Sequence, residues 1–179
     1  MLKIEDTCLV IVDVQGRLAE VMYDKESLVK NLQILINAAK ILEIPIIWCQ
    51  QVPKALGNTI PELAALLEDV EPVNKYSFSC FKDDEFKARL AELDKKNVIL
   101  TGIESHICIY QTAIDLLAEG KRVTVPADAV SSRTLQNKQI ALNTMRHESV
   151  KIASTEMILF ELLGDAKHSA FRQIAKLVK

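Results

Sequence analysis

The sequence has little of several features that define particular classes of protein. Glycine and proline contribute only 5 residues each, whereas hydrophobic residues make up 49%, so collagen-like and disordered chains are excluded. No run of about 20 apolar residues occurs, which excludes a membrane-spanning helix. Positive charge is not in excess, because 22 Lys and Arg stand against 24 Asp and Glu. A net charge of −2 provides no electrostatic footprint for a nucleic acid or an anionic membrane.

The patterns typical of metal sites and disulfide frameworks are also missing. The 3 histidines, His106, His147 and His168, are far apart, and none of the 4 cysteines belongs to a Cys-x-x-Cys pair. These spacings argue against a zinc site, and we predict no metal and no other cofactor. The chain begins MLKIEDTCLV, which has no signal-peptide pattern. We therefore expect reduced thiols and a cytosolic protein.

What the sequence does contain is an alternation of short apolar runs with amphipathic segments. The apolar runs predict six strands, at residues 8–12, 46–49, 72–75, 98–101, 122–126 and 150–153. Helical spacing of apolar residues predicts helices over about 25–43, 61–67, 83–93, 105–119 and 135–147, and along the remainder of the chain. The alternation predicts a single α/β domain over residues 1–179, with an open, doubly wound, Rossmann-like sheet of about six parallel strands and helices on both faces.

Polar residues that end the predicted strands are candidates for a functional site. Ligands of open α/β sheets bind beyond the carboxyl ends of the strands. Asp13 ends the first strand, Lys75 ends the third, and the fourth runs into a helix that carries Cys108. Each has a simpler explanation when it is considered alone: Asp13 suits a turn, Lys75 a solvated surface, and Cys108 a buried packing position. Together they would bring an acid, a cation and a thiol into one crevice.

The position of Cys108 along the chain favours a reactive thiol. If Ser105 is the N-cap, Cys108 lies in the first helical turn, where backbone N–H groups have no partner within the helix. A helix N-terminus favours the thiolate, and the same N–H groups can hold a developing oxyanion. We therefore predict a lowered pKa for the Cys108 thiol.

Three segments of the chain resemble the isochorismatase-like cysteine hydrolases. They are LVIVDVQ around Asp13, NKYSFS around Lys75 and TGIESHICI around Cys108. The resemblance extends over nearly the whole chain through QVPKALG, ADAVSSR and LGDAKH, and it points to the subgroup of isochorismatase domain-containing proteins. It implies that Asp13, Lys75 and Cys108 form a catalytic triad. It also implies a cis peptide bond between Ile103 and Glu104.

Two departures from patterns within this family narrow the chemistry. Family members that are nicotinamidases bind a metal through an Asp-x-His pair after the second strand, whereas this chain reads CQQVPKA there. Isochorismatases proper, which cleave a vinyl ether, commonly lack the cysteine that is present here as Cys108. Metal-free members that keep the triad, such as carbamoyl-amide hydrolases, are therefore the nearer analogues.

Together with the residues, the resemblance implies a metal-independent cysteine hydrolase that cleaves a small amide-like C–N substrate through a thioester. We expect Asp13 to act as the base and the backbone N–H groups of Glu104 and Cys108 to form the oxyanion hole. Gln15 and Phe78 are candidate substrate contacts. Two alternatives remain open: isochorismate-type vinyl-ether hydrolysis without covalent catalysis, and a non-catalytic protein whose thiol senses redox state or whose surface binds a partner.

The expected partners are a small-molecule substrate and further copies of the chain, with no nucleic acid and no membrane. The segment MILFELL at residues 157–163 is apolar on nearly all sides. A helix of this kind is buried either in the core or under a second subunit. Homo-oligomers are usual in the family that the chain resembles, which favours the second subunit.

Overall fold

Seven parallel strands build the sheet. In a computed structural model that describes all 179 residues, they are β1 (Thr7–Val12), β2 (Ile46–Gln51), β3 (Val73–Lys75), β4 (Asn97–Ile103), β5 (Arg122–Pro126), β6 (Val130–Ser131) and β7 (Lys151–Ala153). The order across the sheet is β3-β2-β1-β4-β5-β7, and β6 pairs with the end of β4. All six predicted strands are confirmed, and the two-residue strand β6 is additional.

Helices connect the strands. They are α1 (Gly16–Glu20), α2 (Lys25–Ile41), α3 (Pro53–Leu56), α4 (Pro61–Ala64), α5 (Asp84–Leu93), α6 (Tyr110–Ala118), α7 (Leu135–His147), α8 (Thr155–Leu163) and α9 (Phe171–Leu177). Single 3₁₀ turns occur at Ile4–Asp6 and Cys80–Lys82, and a π-helical turn, Ser105–Ile109, directly precedes α6. None of the helices combines the length and the apolar character needed to cross a membrane.

The two faces of the sheet have separate hydrophobic cores. Leu9 and Ile11 of β1 belong to the core that includes α2, α8 and α9, whereas Val10 and Val12 belong to the core that includes α5, α6 and α7. Successive side chains of a strand point to opposite faces, so a strand that is covered on both faces reads as a continuous apolar run. The predicted doubly wound sheet with helices on both faces is therefore confirmed.

The apolar segment at residues 157–163 lies in α8 and has two unequal sides. Ile158, Leu159 and Leu162 are buried in the core, whereas Met157 and Phe160 are exposed. The core therefore accounts for one side of the helix only. On the other side, the Phe160 ring makes an edge contact with Phe171 of α9, and Met157 remains exposed.

The direction of the strand order reverses between β1 and β4. From β1 the chain adds β2 and β3 on one side and then crosses to β4, β5 and β7 on the other. The carboxyl ends of β1 and β4 therefore adjoin at the switch point, where sheets of this kind bind ligands. Gly102 permits this close approach, because a Cβ atom there would lie 2.1 Å from the carbonyl oxygen of Val12 and the residue has a φ of +109°.

Candidate active site

A buried ion pair joins the carboxyl ends of β1 and β3. Lys75 Nζ donates to Asp13 Oδ2 over 2.7 Å, and the two side chains are 0% and 1% exposed. Because β2 lies between β1 and β3 in the sheet, the Lys75 side chain reaches across the end of β2. The structure therefore rejects the solvated-surface explanation for Lys75 and shows the acid and the cation together.

The ammonium group of Lys75 is surrounded by acceptors. Besides Asp13, Nζ donates to Gln51 Oε1 over 2.6 Å and to the carbonyl oxygens of Ser77 and Phe78, each over 3.2 Å. An ammonium carries three protons, so these four acceptors leave none of them unpaired. Such complete pairing is what a lysine needs in order to stay charged without water.

Burial shifts the titration of both members of the pair. It raises the pKa of Asp13 above its ordinary value of 3.8, and the charge and hydrogen bond of Lys75 reverse only part of that effect. Burial also lowers the pKa of Lys75, but its ionisable neighbours Cys80, Asp13 and Cys108, which favour the ammonium when they are charged, outweigh burial, so the pKa of Lys75 is raised overall. Asp13 Oδ1 is buried and has no hydrogen-bond partner. This oxygen is therefore free to accept a proton.

Cys108 lies in the π-helical turn that follows β4. The N–H of Ile109 donates to the carbonyl oxygen of Glu104 over 3.2 Å, five residues back, whereas the N–H of Cys108 does not bond to that oxygen. Glu104 holds the cap position, and no side chain caps the turn. The prediction of an N-cap at Ser105 is therefore wrong by one residue, because the chain turns one position earlier, at the end of β4.

The environment of the Cys108 thiol opposes ionisation. Burial raises its pKa well above the ordinary 9.0, and the neighbouring Asp13 carboxylate raises it further, while Lys75 lowers it only in part. The predicted lowering of this pKa by the helix N-terminus is therefore wrong. Loss of hydration and a nearby carboxylate outweigh the helix end, so the resting thiol keeps its proton.

A second ion pair holds the other side of the π-helical turn. Glu104 Oε2 accepts from Arg133 Nε over 3.1 Å, and the side chains are 8% and 56% exposed. Nearby, His106 Nδ1 lies 3.0 Å from Ser132 Oγ. The Ile103–Glu104 peptide bond is cis, as the resemblance implies. These contacts fix the turn against the segment that follows β6.

The chain is similar over most of its length to proteins of one family. A family model described as the isochorismatase domain matches residues 7–157. The chain belongs to the isochorismatase family. Isochorismatase domain-containing protein 2 of Danio rerio is 38% identical over 177 residues, which cover 99% of this chain and 89% of that protein. The secreted isochorismatase effector Isc1 of Phytophthora sojae is 34% identical over 175 residues, which cover 96% and 82% of the two chains.

A solved structure has the same fold over nearly the whole chain. The MAR1 ribonuclease from Caenorhabditis elegans matches with a TM-score of 0.93 and 33% identity, covering 99% of this chain and 91% of that one. The family and fold predicted from the sequence are confirmed. The chain has the fold of the isochorismatase-family hydrolases.

The two predicted substrate contacts occupy different places in this family fold. The Phe78 side chain is exposed beside the carbonyl group that binds Lys75. Gln15 is completely buried: its Oε1 accepts from the N–H of Gln51 over 2.6 Å, and its Nε2 donates to the carbonyl oxygens of Gln51 and Gly57. Backbone groups thus use both ends of the Gln15 amide, and the substrate contacts at Gln15 and Phe78 stay predictions.

Sequence reasoning missed Gln51. Its side chain joins the Lys75 ammonium to the carbonyl oxygen of Tyr76, to which Nε2 donates over 2.7 Å. The sequence carried one signal, because Gln50 and Gln51 are consecutive at the end of β2 and their side chains must point to opposite faces. Which of them meets Lys75 depends on the position of β3, which the sequence predicts poorly.

The remaining thiols are packing residues. Cys8 and Cys49 are completely buried within strands, and Cys80 is buried beside Cys49. All 4 cysteines are free.

No group of three or more His, Cys, Asp or Glu side chains lies close enough together to hold a metal ion.

Proposed function

We propose that this isochorismatase-family chain is a metal-independent cysteine hydrolase that cleaves a C–N bond of a small amide-like substrate through a thioester. The observation that carries the proposal is the buried Asp13–Lys75 ion pair next to the Cys108 thiol. A buried ion pair contributes little to stability compared with apolar packing, so stability alone does not explain it. A carboxylate beside a protonated thiol is the arrangement of a base and its nucleophile.

The first half of the reaction forms the thioester. Asp13 takes the proton from Cys108 Sγ, and the thiolate attacks the carbonyl carbon of the substrate. The N–H groups of Glu104 and Cys108 hold the oxyanion, and the loss of one such donor typically costs about 10²–10³ in rate. Lys75 stays charged and balances the negative charge as it moves from carboxylate to thiolate to oxyanion. Asp13 then gives its proton to the leaving amine as the C–N bond breaks.

The second half restores the enzyme. Water attacks the thioester carbonyl and gives one proton to Asp13, and the C–S bond breaks. The carboxylic acid leaves, and Cys108 regains its proton from Asp13. The sum is one amide plus one water to one acid plus one amine, with no change in oxidation state.

Trapping the acyl–enzyme tests this mechanism. The protein is incubated with a panel of small amides, and the peptide that contains Cys108 is analysed by mass spectrometry for the added acyl group. Cys108→Ala abolishes turnover, whereas Cys8→Ala, which changes a buried thiol near the start of β1 while Asp13 follows its end, loses stability and keeps its specific activity. Retention of more than about a hundredth of the rate by Cys108→Ala would falsify covalent catalysis.

The same panel separates the rival functions. It includes a vinyl ether, which a non-covalent hydrolase cleaves without Cys108, and a short RNA, because the relative from Caenorhabditis elegans is named a ribonuclease. The net charge of −2 does not favour RNA. Reversible oxidation of Cys108 with no turnover on any substrate would support redox sensing instead.

Metal independence is tested by chelation. Activity survives exhaustive treatment with EDTA, and a loss of activity that zinc or iron restores would overturn metal independence.

We also propose that the chain forms a homo-oligomer in the cytosol. The exposed Met157 and Phe160 of α8 provide an apolar surface that a second copy would cover, and four free thiols suit a reducing compartment. Light scattering measures the oligomeric state, and a monomer contradicts the first part. Cell fractionation measures the location, and recovery outside the cell, which the name of the Phytophthora sojae relative describes, contradicts the second.

A further inference from the structure

The Gln51 side chain is fixed at both ends. Its Oε1 accepts from Lys75 Nζ over 2.6 Å, and its Nε2 donates to the carbonyl oxygen of Tyr76 over 2.7 Å. The backbone N–H and carbonyl oxygen of Gln51 are both bound by the Gln15 amide. The oxygen end therefore faces a cation and the nitrogen end faces an acceptor, which settles the orientation of the amide.

The choice of an amide at this position has an electrostatic consequence. Glutamate at position 51 would place a carboxylate oxygen against the Tyr76 carbonyl and bring a second negative charge to Lys75. Glutamine supplies the same acceptor oxygen without charge. Asp13 is therefore the only carboxylate within ion-pair distance of Lys75.

We propose that Gln51 is a positioning residue, whose neutral amide holds the Lys75 ammonium against Asp13 and leaves Asp13 as its only anionic partner. The role rests on the proposed function, in which this pair acts on Cys108. Gln51 acts through Lys75 and touches no reacting atom.

The titratable groups that face this ammonium come from every element around it. They are Asp13 after β1, Cys49 in β2, Cys80 in the 3₁₀ turn and Cys108 in the π-helical turn. A carboxylate added at position 51 would be a further negative charge within this group. It disfavours the ionised forms of Asp13 and Cys108, since like charges oppose each other's ionisation.

The test measures alkylation of Cys108 by iodoacetamide across a range of pH, with the modified peptide identified by mass spectrometry. Gln51→Glu moves the pH–rate profile upward by about one pH unit or more, so that alkylation at a fixed pH below the plateau slows at least about tenfold. Gln51→Leu removes the acceptor that holds the Lys75 ammonium in place but adds no charge, so it moves the pH–rate profile upward by less. The controls are Gln50→Glu and Gln50→Leu, because the Gln50 side chain is also buried and its Oε1 has no partner.

Unmoved profiles in both Gln51 variants overturn the proposal, as do equal shifts in the matched Gln50 variants. If Gln51→Glu does not fold, the profile of Gln51→Leu decides, and no shift there overturns the role. Alkylation needs no substrate, so the result is independent of the amide assay. A shifted pH–rate profile with no amide turnover supports the positioning role of Gln51 and contradicts the proposed hydrolase activity. Amide turnover with an unshifted profile supports the hydrolase activity and contradicts the positioning role.

Discussion

The two ion pairs that border the site differ in how much water they meet. Asp13–Lys75 spans 2.7 Å and is completely buried, whereas Glu104–Arg133 spans 3.1 Å and has a half-exposed guanidinium. Breaking a buried pair leaves an uncompensated charge and costs about 3–5 kcal/mol, whereas exposed pairs contribute about 0–1 kcal/mol. Two ion pairs of similar length are therefore expected to differ several-fold in the free energy of unfolding that is lost when each is broken. Burial determines the difference.

The largest expected effect is that of Lys75→Met. The variant leaves the Asp13 carboxylate buried without a cation, so its free energy of unfolding falls by about 3–5 kcal/mol. Urea denaturation measures the change. Adding Asp13→Asn to the same chain removes the unpaired charge and recovers most of the loss. If Lys75→Met lowers the free energy of unfolding by no more than Arg133→Met does, burial does not distinguish the two ion pairs.

The pH dependence of Lys75→Met gives the next largest effect. Burial raises the pKa of Asp13 above 3.8 and Lys75 pulls it down, so removing Lys75 raises it further in the folded state. The folded variant then binds the Asp13 proton more tightly than the unfolded chain does. Its stability consequently falls as pH rises above the unfolded-state pKa and through the folded-state pKa.

The loss relative to the parent chain therefore shrinks toward acid pH, where a protonated Asp13 needs no cation. Urea denaturation of both chains at several pH values measures it. A loss that stays constant from acid to neutral pH contradicts this account of the buried pair.

The smallest effect is expected at the Glu104–Arg133 pair, whose guanidinium is half-exposed. Arg133→Met lowers the free energy of unfolding by no more than about 1 kcal/mol, because water replaces much of what the guanidinium provides. The backbone N–H of Arg133 still donates to Glu104 Oε2 over 3.3 Å. Thermal unfolding of the variant measures the change, and a loss as large as that of Lys75→Met would reverse the comparison.

How well the sequence predicts a feature depends on whether the feature is encoded by neighbouring residues or by residues far away in the chain. Strands such as β1 are continuous apolar runs, so composition alone locates them, and the end of each run locates Asp13 and the turn that carries Cys108. Lys75 is different, because its local sequence favours a solvated lysine. Its acceptors are far away in the chain, with Asp13 62 residues distant and Gln51 24. The family resemblance predicted the role of Lys75, and its neighbourhood in the sequence did not.

Two features had no local signal at all. Strand β6 has two residues and exists only because β4 is beside it, so no periodicity of its own indicates it. The π-helical turn depends on which N–H reaches the Glu104 carbonyl, and the spacing of apolar residues does not encode this. Helical spacing in the sequence predicted a helix there but could not distinguish its kind.

Because of the π-helical turn, the direction of the Cys108 thiol depends on the number of residues between β4 and α6. A turn closed over five residues holds one residue more than an α-helical turn, and each residue of a helix rotates the next side chain by about 100°. Deleting one residue between β4 and α6 would let an ordinary α-helix form while rotating the thiol away from Asp13. Insertions and deletions in this short segment are therefore as consequential as substitution of the cysteine itself.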